Sequence, residues 1–181
     1  MTQPKIELTT TFAQLKAHDA CREGLRTLME AIGTPTEYGP DKPINLLTIL
    51  ESNDLFDMLW CLRAVKSPDL TKAMRLIAAK WIEDSEALVD GRKKAKRALV
   101  RKCAQLCQRH AQGKATPDEL YDAAREVRDA FRFSMESQVN EVRCLITGIF
   151  EADADDPNFL YESYYGREEV SRTEAVKAVL K

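Results

Sequence analysis

The sequence predicts an all-α fold, an irregular bundle of about six to seven helices. Apolar residues recur at intervals of three and four over most of the 181 residues, which is the period of an amphipathic helix. Complete helix-start signals precede two of these periodic segments, at Ser67-Pro68 and Thr116-Pro117. Only residues 5–9, "KIELT", alternate in the manner of a strand.

The first helix is predicted over residues 12–32, because its apolar side chains fall on one face. Thr11 with Gln14 fits a capping box at its start, and Gly33 supplies a left-handed residue at its end. The segment 34–43 contains three prolines and a glycine, which predicts a loop.

The middle of the chain continues with short connections between helical segments, each marked by a cap or by a restart of the apolar period. In chain order the predicted segments are a helical turn at 44–50, a helix capped by Ser52 or Asn53 that runs to Val65, a helix over 67–89 and a helix over 92–112.

The C-terminal part begins with a start signal at residues 116–119, where a threonine cap, a first-turn proline and a reciprocal glutamate follow one another. The apolar period continues through Ile149, which predicts one long helix. The segment "DADDPN" at 153–158 ends it, within and after the acidic segment "EADADD" at 151–156, and a last helix is predicted from about Arg167 to Leu180.

Length and composition indicate a single helical domain over 1–181, with an N-terminal extension at 1–10 and an acidic loop plus last helix at 151–181. Five cysteines, an odd number, lie in apolar patterns without a cleavable leader, which indicates a reducing, cytoplasmic location. No apolar run approaches the roughly 20 residues that cross a bilayer, so no membrane partner is expected. A net charge of -2 disfavours a general polyanion binder.

Four segments carry a family resemblance, and the pattern Asn-Asp followed by Leu-Trp-x-Leu-Arg-Ala is the most specific of them. They are "HDACREGL" (18–25), "PINLLTIL" (43–50), "SNDLFDMLWCLRAV" (52–65) and "GKATPDELYDAAREV" (113–127). Together these segments resemble small helical proteins encoded by phages and prophages, often labelled only as immunity proteins. The resemblance implies a helical fold and a phage-borne accessory gene acting in the host cytoplasm, and no catalytic residues come with it.

Asp57 and Arg63 stand out as charges in an otherwise apolar stretch. They lie about 120 degrees apart around a helix, too far for the pairing that three-or-four spacing allows. We favour a structural ion pair in which Arg63 reaches Asp19 or Glu23 on the first helix while its stem packs on Trp60. The alternative is a small polar pocket that binds an anionic group.

The basic segment, Arg92–Lys102, contains seven cationic residues. Most of them fall opposite the apolar residues of the predicted helix, as expected for a solvated face. Several stand in the first turn, where the helix dipole disfavours cations. Their presence there favours a functional role for these residues. For phosphate contact, no aromatic residues interleave with the basic ones as a single-strand platform requires. Docking on an acidic protein ranks slightly higher because the net charge is modest. The candidate binding residues are Arg92, Lys93, Lys94, Arg97, Arg101, Asp57 and Arg63.

Metal and nucleophile chemistry find little support. Cys103, Cys107 and His110 share one helical face, but the same positions form the apolar seam, and we interpret them as core. The acidic segment lacks the ligand register and the glycine of a calcium loop. The remaining candidates, which lack the partners their chemistry needs, are His18 with Asp19 as a two-metal dyad and Cys21 or Cys61 as a nucleophile.

We therefore expect a non-enzymatic, phage-type accessory protein without cofactor or metal. It would act in host takeover by binding a host macromolecular machine through protein–protein contacts and inhibiting or modulating it. The alternative is a nucleic-acid-binding accessory factor that uses the helix at 92–102. The expected partner is a host or phage protein, with nucleic acid or a second copy of the chain as the other options.

Overall fold

The computed structural model describes residues 6–132, 137–151, 160 and 169–180. In this part of the chain helices predominate and the only sheet has two strands, which confirms the all-α class. The chain divides into two compact units, Met1–Leu70 with Lys177–Lys181, and Thr71–Val176. The single domain expected from the sequence stays a prediction.

The first unit is built from five short α-helices around a small sheet. Leu46, Leu55 and Met58 are completely or almost completely buried in its core. The elements are β1 (Thr9–Thr10), α1 (Phe12–Ala17), α2 (Arg22–Ile32), α3 (Pro35–Tyr38), β2 (Ile44–Asn45), α4 (Leu46–Ser52), α5 (Leu55–Cys61) and a first 3₁₀ turn (Leu62–Ala64).

The two strands pair in antiparallel fashion, with Thr10 opposite Ile44. The buried hydroxyl of Thr10 donates to the carbonyl oxygen of Ala64 at 2.8 Å, so this polar group is satisfied within the core. Ile6 and Leu8 are buried as well, so the described part of the predicted N-terminal extension packs into the first unit.

The single helix predicted over 12–32 is wrong, because the chain turns between α1 and α2. Asp19 has a φ of +60°, the left-handed conformation that usually falls to glycine. The Ala20 N–H donates to the Leu15 carbonyl and the Asp19 N–H to the Lys16 carbonyl, which together form a Schellman motif. The apolar period spans this break and therefore hides it.

The cap of α5 also differs from the prediction. Helix α4 runs to Ser52, so Ser52 and Asn53 belong to its C-terminal end and neither caps the next helix. Asp54 takes that role, and its Oδ1 accepts a hydrogen bond from the Asp57 N–H at 2.7 Å.

The second unit consists of longer helices. Helix α8 packs against both α7 and α9, and α9 also contacts the second 3₁₀ turn. The elements are α6 (Leu70–Ser85), whose first residue belongs to the first unit, the second 3₁₀ turn (Glu86–Leu88), α7 (Lys94–Ala111), α8 (Pro117–Phe131), α9 (Ser137–Glu151) and α10 (Glu169–Leu180), whose last residues belong to the first unit.

The start of α8 matches the sequence prediction closely. The Thr116 N–H donates to Glu119 Oε2 at 2.7 Å, and the Glu119 N–H donates to Thr116 Oγ1 at 3.3 Å, which completes the predicted capping box. The predicted continuous helix to Ile149 is wrong, however, because α8 and α9 pack extensively against each other. Two halves of one straight helix could not make those contacts.

The described residues contain ten α-helices instead of six or seven. Two predicted helices are each divided into two, at Asp19 and between Phe131 and Ser137, and a short helix occupies the predicted loop at Pro35–Tyr38. The predicted acidic loop lies outside the described residues beyond Glu151.

We expect Asp19→Gly to raise the free energy of unfolding by about 1 kcal/mol, because glycine adopts the left-handed conformation without steric cost. Asp19 is exposed, so its side chain contributes little packing. Urea unfolding followed by circular dichroism measures the change. Asp19→Ala is the matched control and should lower stability, and a similar shift in both variants would contradict the left-handed turn.

Candidate functional site

The basic face of α7 starts without the usual features of a helix N-terminus. Lys93 occupies the N-cap position without a side-chain hydrogen bond, and the first turn contains no acidic residue. Helix α8, by contrast, has its complete box and Asp118 and Glu119 in the first turn. Cations at this end oppose the helix dipole, so local helix stability does not explain them.

Glu86 holds two of the arginines of the basic segment. Its Oε1 accepts hydrogen bonds from Arg97 Nε at 2.8 Å and from Arg101 Nη1 at 2.7 Å, and Arg97 Nη2 lies 2.8 Å from the same oxygen. The Glu86 side chain is 13% exposed, whereas those of Arg97 and Arg101 are 36% and 53% exposed. A mostly covered carboxylate thus fixes two guanidinium groups at the surface.

The turn between the second 3₁₀ turn and α7 positions this arrangement. The Asp90 carbonyl accepts from the Lys93 N–H at 2.8 Å, and the Asp90 carboxylate accepts from the backbone N–H and the guanidinium of Arg92. These hydrogen bonds from Arg92 lower the pKa of Asp90. At Gly91 an added Cβ would lie 3.5 Å from Arg97 Nη1, so Arg97 reaches back over this turn towards Glu86.

We define the arginine cluster as Arg92, Arg97 and Arg101, together with their carboxylate partners Asp90 and Glu86. All three arginines were predicted as binding residues from the sequence, and the structure brings them to one turn. Both carboxylates were missed. Both lie before the basic run in sequence. The turn "DGRK" places Asp90 beside the cations and was a signal for that residue, whereas no local pattern indicated Glu86.

The other cations of the basic segment have varied surroundings. Lys94 is exposed, and Lys93 is half-buried. Lys96 Nζ lies 4.9 Å from the centre of the Phe131 ring, and Lys102 pairs with Glu126, which raises the Lys102 pKa. Several cations of the basic segment therefore contact acidic or aromatic side chains of the same chain.

The structure places Asp57 in a link between α5 and α2. Asn53 Nδ2 donates both to Asp57 Oδ2 at 2.8 Å and to the Gly24 carbonyl at 2.9 Å. Asn53 therefore connects α2 and α5 through hydrogen bonds, and the ion pair that was predicted for Arg63 between these helices stays a prediction. From the sequence, Asn53 was noted as a possible helix cap and as part of the Asn-Asp pattern, and neither indicated this contact.

Arg63 packs on Trp60, as expected. Its guanidinium lies 4.7 Å from the centre of the Trp60 ring, and its Nε donates to the Trp60 carbonyl at 3.1 Å. Arg63 is only half-buried, so a pairing with Asp19 or Glu23 would not be a deeply buried one, and it stays a prediction.

Asp57 and Arg63 act electrostatically on one thiol. The pKa of Cys61 is raised to about 12, chiefly by burial and also by the negative charge of Asp57, while the positive charge of Arg63 acts in the opposite direction. A thiol with this pKa is protonated at neutral pH, so Cys61 lacks the thiolate that a nucleophile requires.

Cys103 and Cys107 are fully buried in the second unit. Burial raises the pKa of each thiol to about 12, which disfavours the thiolate form that binds metal. Cys107 Sγ donates to the backbone carbonyl of Arg75 at 3.2 Å. These contacts belong to a packed core, and the absence of bound metal in the purified protein stays a prediction for elemental analysis.

Arg75 is a buried charge that the sequence interpretation missed. It is 1% exposed, and its Nη1 donates to the Ile149 carbonyl near the end of α9 at 2.6 Å. Helix α6 is buried around much of its circumference, and apolar residues on several faces of that segment were the available signal. A cation near a helix C-terminus also suits the helix dipole.

Comparisons of the chain with known proteins return no match to a family model, a curated protein or a solved structure. Within the described ranges, no helix has both the length and the apolar character to cross a bilayer. The same residues hold no group of three or more histidines, cysteines or carboxylates placed to bind a metal ion. Among the candidate sites, the arginine cluster is the one in which the structure brings the most charged side chains into contact.

We expect Gly24→Ala to destabilise the protein by about 1 kcal/mol, although alanine is the better helix former. The added Cβ would lie 3.0 Å from Asp57 Oδ2 and 3.2 Å from Cys21 Sγ, so the link between α2 and α5 must shift. Thermal and urea unfolding measure the effect. In an Asp57→Ala background the same change should be neutral or stabilising, and an equal effect in both backgrounds would contradict the link.

We expect the stability of the protein to fall as the pH drops below about 6.5 through His110. Burial, and then the positive charge of Arg75, lower the His110 pKa in the folded state. The unfolded chain therefore takes up the proton first on acidification. Urea unfolding between about pH 8 and about pH 5.5 measures this loss, which should be smaller in His110→Gln. An identical pH dependence in both proteins would contradict it.

Proposed function

We propose that the protein is a non-enzymatic binding protein that docks on an acidic protein surface through the arginine cluster. The observation that supports this most is the arrangement of three surface arginines around one turn, each held by a carboxylate of the same chain. Arginine is the residue best suited to bidentate contacts with carboxylates.

Preorganisation favours a protein partner. Ordering a long side chain at an interface costs roughly 0.5–1.5 kcal/mol, and this cost is lower where Asp90 and Glu86 already restrain the arginines. The carboxylates also reduce the net positive charge of the cluster. Binding to a polyanion depends instead on cations that are available to replace counterions along a phosphate backbone.

The biological setting proposed here follows from the family resemblance. An accessory protein of a phage or prophage would act in the host cytoplasm by occupying the surface of a host machine and inhibiting or modulating it. A protein that acts by occupying a surface needs exposed recognition groups and no catalytic residues, and the arginine cluster supplies the former. A phage protein as partner fits the same chemistry.

The second candidate is a nucleic-acid-binding accessory factor, favoured by the excess of cations in the basic segment. Between Glu86 and Lys102 the chain has seven basic and two acidic residues, so the local charge stays positive. Lys93 and Lys94 belong to this excess, and they would supply phosphate contacts in that case.

A binding assay with defined probes tests the proposal. We expect a fluorescent glutamate-rich peptide to bind the full chain at low salt and to bind a variant with Arg92→Gln, Arg97→Gln and Arg101→Gln at least about tenfold more weakly, equivalent to about 1.4 kcal/mol. Glutamine removes the charges without placing new carboxylates beside Glu86. Fluorescence anisotropy measures both affinities.

The matched control replaces three exposed cations of the first unit, Lys16, Arg22 and Lys66, with glutamine, which changes the net charge equally. It should bind the peptide as the unchanged chain does. Equal loss in both variants, or no peptide binding by the unchanged chain, would contradict the proposed docking surface. Strong, steeply salt-dependent binding to a DNA duplex by the unchanged chain would favour the second candidate.

A further inference from the structure

Glu86 is the only carboxylate that the described residues place against both Arg97 and Arg101. The hydrogen bonds of both arginines converge on one of its oxygens, Oε1. One negative charge therefore serves two positive charges, and the two guanidinium groups are drawn together on an internal anion. An external anion aimed at the same groups has to compete with Glu86.

The directions of the hydrogen bonds strengthen this competition. Arg97 uses its Nε and Nη2 edge for Glu86, and its Nη1 lies against Gly91. Arg101 uses Nη1. The edge of Arg97 best suited to a bidentate phosphate contact is already occupied, and Glu86 is better shielded from water than either arginine.

The energetic cost of competing with Glu86 differs between a nucleic acid and a protein partner. A phosphate backbone places negative charges close together along its length, and each would meet the field of Glu86 as well as that of the arginines. A protein carboxylate needs only one remaining donor edge. The phosphates of a duplex are fixed along one backbone and approach the cluster together, whereas each glutamate of a protein or peptide approaches on its own flexible stem. Glu86 thus penalises a duplex more than it penalises acidic side chains.

We propose that Glu86 is a specificity-determining residue that withholds Arg97 and Arg101 from nucleic acid. This inference rests on the proposed function, because it explains how a segment with seven cations selects a protein surface. It assigns Glu86 a role in discrimination beyond its structural contact between the second 3₁₀ turn and α7.

The test is a gain of function. We expect Glu86→Gln to bind a fluorescent 20-base-pair DNA duplex about tenfold more tightly than the unchanged chain at low salt. The logarithmic salt dependence should steepen by about 0.9 for each additional phosphate that the variant neutralises. A purely structural role would not change this slope. Fluorescence anisotropy over a series of salt concentrations provides both quantities.

Glu126→Gln is the matched control, because it makes the same change in net charge and releases one cation, Lys102, from its partner on α8. An increase in DNA affinity as large as that of Glu86→Gln would show an effect of net charge alone and would overturn the proposal. The increase should also disappear when Arg97→Gln and Arg101→Gln are added to Glu86→Gln, and its persistence there would equally overturn it.

Thermal melting checks that each variant is folded. Should Glu86→Gln fail to fold, Glu86→Asp withdraws the carboxylate by one methylene while keeping its charge, and it should give a smaller increase in DNA binding. No increase in either folded variant overturns the inference. The glutamate-rich peptide assay on the unchanged chain reports separately on the proposed function, so a failure of one is distinguishable from a failure of the other.

Discussion

The main physical constraint on the first unit is that the backbone groups at the ends of its short helices need hydrogen-bond partners. Its helices have four to eleven residues, a length at which an isolated helix is marginal in water. Each terminal turn leaves backbone groups without intrahelical partners, and at each of the five helix starts a side chain accepts a hydrogen bond from one of the backbone N–H groups. The groups that accept at the five helix starts are Thr11, Cys21, Glu37, Asn45 and Asp54. Together with these hydrogen bonds at the helix starts, packing of the apolar faces holds the unit together.

Helix α7 departs from this pattern, and the departure coincides with the candidate site. Its start has no side-chain cap and no acid in the first turn. The negative charge that would suit the dipole stands just before the helix instead, on Glu86 and Asp90, where it contacts arginine side chains. The two carboxylates at this turn therefore hold arginine side chains in place at the surface. The helix itself gains its stability from the buried seam at Leu99, Cys103 and neighbouring residues.

The buried charge of Arg75 in the second unit has a different role from the exposed charges of the arginine cluster. Arg75 is enclosed by the core and donates to a helix carbonyl, so it serves packing and helix termination. Arg97 and Arg101 keep a third or more of their side-chain surface exposed. The same residue type thus has a structural role in one place and is presented to solvent in another. Burial and the partner atom distinguish the two roles, and neither is visible from residue type alone.

The sequence by itself determined the all-α class and two helix starts, those capped by Thr11 and Thr116. A cap such as Thr116 with Glu119 is complete within four residues, so its chemistry is written locally and can be read without a fold. The break at Asp19, which local hydrogen bonds make, and the contact of Asp57 with Asn53 became visible only in the structure. Tertiary structure decided the pairing of α8 with α9 and the partners of Arg97 and Arg101, because these contacts depend on which separate elements meet. The apolar period continues across a turn whenever both helices face the core, and a charge spacing cannot specify a carboxylate on another element.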